Sequence, residues 1–307
     1  MRKVMVGRVP VGDASGMMSD FWGKMGAGSL TWKQFAAFLR KENPFEGDSN
    51  EWFDEIVAKE KATHIAFFGQ AIASRFDYSM LEETLKQSGQ AEVAKWDGLG
   101  LRVGFLPPVE MKQESCYPGW KVKPNDWFYR MIREGKVDKK ALYLGDPEKG
   151  GEVVLFDTRC KPNYNEGKQM WEGDEKFFGP IIEGLRNGGK IAKYEYGPQS
   201  SRFGMSAVEA EKYVYPALAN SFGFNSEQVM SEGVVQGSYL SQAYSGLPRF
   251  KDSQTSTWVW FKESFEGGGF RLCGGFSGGG GRAGVDYYLD SDHWSFISCL
   301  PLVVLSP

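Results

Sequence analysis

From Gly223 onward the chain breaks into short extended pieces, STWVWFKESF, FRLCGGF, AGVDYYLD and WSFISCLPLVVL, cut apart by Gly, Ser, Pro and Asp. Such pieces satisfy their backbone groups by pairing with one another, which predicts a run of antiparallel strands. Ahead of them, GGEVVLFDTR carries a β-branched apolar centre bounded by turn formers and predicts a buried strand over Val153–Phe156. Two helices lie between. FFGPIIEGLRNGG ends on paired glycines; SAVEAEKYVYPALANSFG opens with Ser206 and Glu209 at capping-box spacing, should kink at Pro216, and stops at Gly223. Segregation of helices from strands along the chain selects an α+β architecture, with two helices packed on a short, looped antiparallel sheet.

Upstream the texture is helical. Thr31 is placed to cap WKQFAAFLRKEN, where Trp32, Phe35, Phe38 and Leu39 fall on one stripe before Asn43-Pro44. EWFDEIVAKEKA and SMLEETLKQSGQAEVAKW have the same spacing and the Glu/Lys exchange of a wet helix face. Prolines at 107, 108, 118 and 124 then break the periodicity. The expected organisation is a helical region over residues 1–105 and a second domain over 106–307. The latter opens with a helix through WFYRMIREG, capped by Lys123-Pro124-Asn125-Asp126 and stopped at Gly135.

Several chemistries lack their residues. With a net charge of -3, a pI near 5.7 and no dense Lys/Arg face, the chain is not expected to bind nucleic acid or an anionic membrane. MRKVMVGRVPVGDASGMM lacks the apolar core of a secretory signal, so a cytoplasmic location is the default, and no apolar run is long enough to insert in a membrane. Cys116, Cys160, Cys273 and Cys299 are spaced like neither a metal site nor a disulfide framework, and buried thiols are expected. His64, within the apolar ATHIAFF, reads as a satisfied core residue. The glycine run GGFSGGGGRAG is followed by a strand rather than a helix, unlike a phosphate loop. Asp286, Asp290 and Asp292 lack the ladder of a calcium loop. No catalytic residue, metal or cofactor is assigned.

What remains is a bias in composition. Phe270–Pro307 contains no Lys, Glu, Gln, Met, Asn or Thr, although Lys, Glu and Gln abound upstream. Tyr, Ser, Asp, Gly, His and Trp take their place, giving rigid contact area and adaptable hydrogen bonding, as in antibody paratopes. Such a segment is suited to holding a ligand.

The C-terminal half resembles the C-type lectin fold, and most of all its branch among the variable proteins of diversity-generating retroelements. The matching framework is Trp258, Trp260 and Phe261 in STWVWF, Arg271-Leu272 and Gly274-Gly275 in RLCGG, Ala283 and Val285, and Pro301-Leu302-Val303-Val304. The resemblance spans about Lys121 to Pro307, is sharpest after Ser256, and places a variable region at about 256–307. It implies a recognition protein, not an enzyme, whose surface is diversified when template adenines are miscopied. An AAC codon randomised in this way never specifies Lys, Glu, Gln, Met or Trp, which largely matches the residues missing here. Trp294 departs from that set and belongs with the framework on this reading, and Leu300 stands where relatives carry Arg. Calcium-lectin triplets of the EPN and WND kind are absent.

If Ala283 and Val285 face the core, Gly284 and Asp286 face out. Tyr287, Tyr288, Leu289, Asp290, Ser291, Asp292, His293 and Ser295 are then expected as the loop at the strand's end, with Phe276 and Ser277 on the neighbouring strand. Together these form one patch, rimmed by Arg282 and His293, for a protein or cell-surface ligand. Two alternatives share the fold: a formylglycine-generating or sulfatase-modifying enzyme, for which Cys273 and Cys299 are the candidate pair, and a surface or phage structural module.

Overall fold

The computed structural model describes residues 22, 36, 51–159, 162–163, 170–171, 173–244, 258–275 and 283–305. The chain divides into two compact units, Met1–Asp54 and Glu55–Pro307. The helix expected over WKQFAAFLRKEN lies outside the described residues, apart from Ala36. The second unit begins well before Leu106-Pro107-Pro108, where the sequence changes texture; Leu106 is the last residue of a strand and the two prolines follow it.

Helix α1 (Glu51–Phe68) is followed by the short α2 (Gln70–Ala73), then α3 (Ser79–Ser88) and α4 (Gln90–Gly98). The sequence reads the last two as one segment; Gly89, at φ 77°, breaks it in a conformation that favours glycine. Strand β1 (Leu101–Leu106) comes next, within the region expected to be helical. It pairs with β2 (Glu152–Asp157), in which Val153 to Asp157 are all buried. Asn125 caps α5 (Asp126–Arg133) by accepting the Phe128 N–H, and Gly135 follows at φ 71°.

The pair β3 (Pro162–Asn163) and β4 (Met170–Trp171) precedes α6 (Phe178–Asn187), α7 (Ala207–Glu209) and α8 (Tyr215–Phe222). Ser206 and Glu209 form the expected capping box. Between α7 and α8 the helix widens into a π turn over Ala210–Val214, and Pro216 sits in the first turn of α8. There the missing N–H and the ring's bulk are accommodated by the wider turn instead of by a simple kink. Strand β5 (Val229–Ser231) leads into α9 (Val234–Ala243), a helix the sequence reads as extended pieces. Val234 to Ser241 are buried on every side, so no polar face marks a helical period.

The strands form a four-stranded antiparallel sheet, β1-β2-β9-β5, and a three-stranded one, β6-β7-β8. The latter comprises β6 (Val259–Phe265), β7 (Phe270–Gly274) and β8 (Val285–Leu289), while β9 (Pro301–Val304) closes the first sheet between β2 and β5. The turn joining β6 to β7 holds Glu266 and Gly267–Gly269 all at positive φ, which explains its three consecutive glycines. Of WSFISCLPLVVL, only Pro301–Val304 is a strand; Ser298 makes isolated bridges to Phe203 and Val259. The architecture is α+β, with both main sheets packed into one apolar core.

Candidate functional site

The site expected from the sequence centres on β8, and the structure sets β8 at the edge of its sheet. Ala283 and Val285 are buried, Gly284 is half-buried and Asp286 exposed, which is the alternation expected. Beyond Asp286 both faces of the strand open. Tyr287 is 36% exposed and Leu289 45% exposed, while Tyr288 is half-buried. The strand runs on past the edge of the core that holds its root.

Tyr287 and Tyr288 do not share a patch. Neighbouring residues of a strand point to opposite faces, so the expected single surface is two surfaces back to back. On one face, Tyr287 stacks against Phe265 with ring centres 4.2 Å apart and lies nearly parallel to Trp127 at 5.5 Å and 8°. Phe270 meets it edge-on at 5.6 Å. On the other face, Tyr288 packs against Trp294 at 4.7 Å, and Phe296 and Trp258 complete a cluster over Cys273 and Trp260. Burial raises the pKa of the Tyr288 phenol, with the Asp286 carboxylate adding to the effect. Tyr287, Tyr288 and Leu289 belong to the strand, not to the loop after it; the loop begins at Asp290.

That loop is tied down. Asp290 donates its N–H to Gly269 O at 3.1 Å and accepts the Val208 N–H at 3.1 Å. Asp292 N–H returns to Leu289 O, and Ser295 O accepts the Tyr194 hydroxyl at 2.9 Å. His293 remains 43% exposed but sets Nε2 2.9 Å from the Glu209 carboxylate, the same carboxylate that closes the capping box of α7. Ser291 is exposed, and Asp290, Asp292 and Ser295 are half-buried. Phe276, Ser277 and Arg282 lie outside the described residues.

The outer edge of β8 is met by Asn125. Its backbone N–H reaches Ala283 O at 3.0 Å and its side-chain amide reaches Val285 O at 2.8 Å, while its Oδ1 caps α5. Asp286 turns its carboxylate onto the Tyr287 N–H at 2.9 Å. Asn125 and Trp127 are about 160 residues upstream of β8, and nothing local in the sequence connects them to it; Glu209 is hidden in the same way.

A buried ionic group ties the end of β2 to the segment before α7. Arg202, fully buried, spans Asp157 at 2.6 Å and Asp174 at 2.6 Å, and Arg159 adds a second contact to Asp157 at 2.6 Å. Burial opposes ionisation of Asp157, yet the two guanidinium groups outweigh it and hold its pKa down at about 2. The segment after Arg202 carries the site's framework: Gly204 N–H binds Ile297 O, and Met205 O accepts the Trp260 indole. Arg186 gathers four carbonyls, those of Ala192, Gln199, Ser201 and Phe203, at 2.6 to 3.0 Å.

Cys273 and Cys299 are buried free thiols, and Cys116 is an exposed one. Burial raises the Cys273 thiol well above its ordinary value and pushes Cys299 up to about 12, so both are held protonated. Thiols in that state are neither nucleophiles nor ready metal ligands. Among the described residues no cluster of three His, Cys, Asp or Glu side chains is placed to hold a metal, and no helix is long and apolar enough to cross a membrane. Compared with family models, curated proteins and solved structures, the chain matches none.

Proposed function

We propose that this is a non-enzymatic recognition protein: a C-type lectin-like scaffold that presents the exposed side chains of β8, on its two faces, and the Asp290–Ser295 loop to a protein or other cell-surface macromolecule, with these surfaces diversified by a retroelement. The observation that carries the reading is the contrast along β8, whose root at Ala283 and Val285 is buried while Asp286, Tyr287 and Leu289 stand in solvent. A pinned loop beside an exposed strand loses little freedom on binding, which favours affinity. Two or three aromatic or aliphatic anchors of about 1–3 kcal/mol each suffice for a specific complex. The return of β9 to the first sheet, between β2 and β5, supports the lectin-like reading. The composition of Phe270–Pro307 supports diversification.

Two experiments test this reading. Chains randomised together at Asp286, Leu289, Ser291 and Asp292 should fold as the parent does and yield binders to an immobilised test protein; general loss of folding would end the recognition reading. The DNA beside the gene should hold a reverse transcriptase and a repeat of the 3′ coding end that differs at adenines. A flank without them removes the retroelement and leaves the recognition surface.

A further inference from the structure

We propose that the Tyr288 face of β8 docks a basic segment of a partner protein, with an arginine side chain laid over the Tyr288 and Trp294 rings between the carboxylates of Asp286 and Asp290. The inference rests on the recognition reading above and names the partner chemistry that this chain's surface takes.

The face is aromatic at its centre. Tyr288 and Trp294 are both half-buried, with ring centres 4.7 Å apart and planes tilted by 47°. Half-buried rings keep part of their surface open, and a planar guanidinium lies flat on such a ring, held by its quadrupole and losing little freedom. Carboxylates stand on either side. Alternation along the strand brings Asp286, Tyr288 and Asp290 to one side, each about 7 Å from the next. Asp290 continues the ladder one step past the strand, with its N–H on Gly269 O. Two contacts confirm the side: Tyr288 is the cross-strand partner of Arg271, and Arg271 binds Glu211, the carboxylate that Asp290 approaches.

Charge selects the occupant. The cations of this face are already engaged, Arg271 with Glu211 at 2.9 Å and Lys262 O at 2.6 Å, and His293 with Glu209 at 2.9 Å. Among the described residues none of Asp286, Asp290 and Asp292 joins an ion pair. Asp286 gives one oxygen to the Tyr287 N–H and is otherwise exposed. Burial raises the Glu211 pKa; the Arg271 guanidinium opposes that, and the Asp290 carboxylate adds to it. Like charges so placed repel, and a cation received beside them relieves the repulsion. An acidic partner would add to it, while an uncharged one would strip water from the carboxylates and return nothing. The carboxylates are strung along the strand instead of gathered into a cluster that could hold a metal, which suits the side chains of an extended basic segment.

Fluorescence anisotropy of labelled hexa-arginine with the full chain tests this, beside hexa-lysine and hexa-glutamate. Hexa-arginine should bind, hexa-lysine more weakly, and hexa-glutamate not at all. Asp286→Asn with Asp290→Asn should weaken hexa-arginine binding by about tenfold or more. Glu83→Gln with Glu183→Gln removes as much charge from exposed helix positions elsewhere and should leave binding within about twofold. Tyr288→Leu, which keeps an apolar side chain and removes the ring, should weaken hexa-arginine by about threefold. No binding of hexa-arginine at millimolar concentration, equal loss in the Glu83 and Glu183 variant, or hexa-lysine bound as tightly as hexa-arginine would overturn the proposal. If chains randomised on β8 still fold and yield binders, such a result removes the basic partner alone and leaves the recognition reading standing; loss of folding in those chains ends both.

Discussion

β2 and β8 are strands of similar length with opposite surroundings. β2 is hydrogen-bonded on both sides, by β1 and β9, and every residue after Glu152 is buried. Among the described residues β8 is bonded to a neighbouring strand on one side only, and Val285 is its one buried residue. At the end of β2, Asp157 is locked to Arg202 and Arg159; along β8, the carboxylate of Asp286 reaches only the next backbone N–H. The molecule therefore separates the residues that hold it together from those that meet solvent. Changes on β8 should alter what the surface binds, whereas changes around β2 should alter whether there is a surface at all.

The sharpest test of that separation is Arg202→Met. It leaves Asp157 and Asp174 buried with Arg159 alone between them and should cost about 3–5 kcal/mol, read from the denaturant midpoint. A loss under about 1 kcal/mol would break the comparison at its root.

A pH effect of similar size belongs to the same half of the molecule. His64, on α1, is fully buried between the Tyr78 hydroxyl at 2.7 Å and Phe105 O at 3.0 Å, and burial lowers its pKa to about 4. The unfolded chain takes up that proton near pH ~6.5. Between the two values only the unfolded chain is protonated, so stability present above about 6.5 is lost as pH falls toward 4, by about 3 kcal/mol. Glu60 beside it, raised by burial, acts with the opposite sign over its own window. The difference between the wild-type and His64→Gln unfolding curves isolates the histidine. A difference independent of pH would show that the ring is not held neutral.

Smaller effects are expected on the second sheet. Tyr288→Ala removes the ring packed on Trp294 and Phe296 and should cost about 1 kcal/mol by thermal unfolding. Asp286→Ala, Leu289→Ala and Ser291→Ala should each stay within about 0.5 kcal/mol of the parent. Were these three to cost as much as Tyr288→Ala, β8 would be framework along its whole length.

Local signals were legible in the sequence wherever one residue decides the outcome. The cap within Lys123–Asp126, Ser206 with Glu209, and Gly135 mark helix ends because their hydrogen bonds or backbone angles are satisfied within a few residues. The buried strand at Val153–Phe156 and the satisfied His64 were equally readable. What escaped depends on distant partners. α9 is enclosed on all sides, so VVQGSYLSQA carries no alternation of polar and apolar faces, and its Gly and Ser residues read as loop. LRVGFL, which forms β1, is too short to show in the sequence whether it pairs. At the site, a period of two gives the exposure of Asp286 but not that of Tyr287 and Leu289, which share the face of buried Val285 and are exposed where the strand runs past the core; the same period sets Tyr287 and Tyr288 on opposite faces. Trp127, Phe265 and Phe270 join Tyr287 only through the fold.

The clamp made by Asn125 has one more consequence. An edge strand with free N–H and C=O groups is a template on which other chains can assemble into fibrils, and the hazard grows when its outward side chains become apolar. Here the carbonyls of Ala283 and Val285 are taken by Asn125, and the Tyr287 N–H by Asp286. Apolar replacements at Leu289 or Ser291 would thus arrive on a border already partly closed to intermolecular strand pairing, which widens the range of surfaces this chain can carry while remaining dispersed.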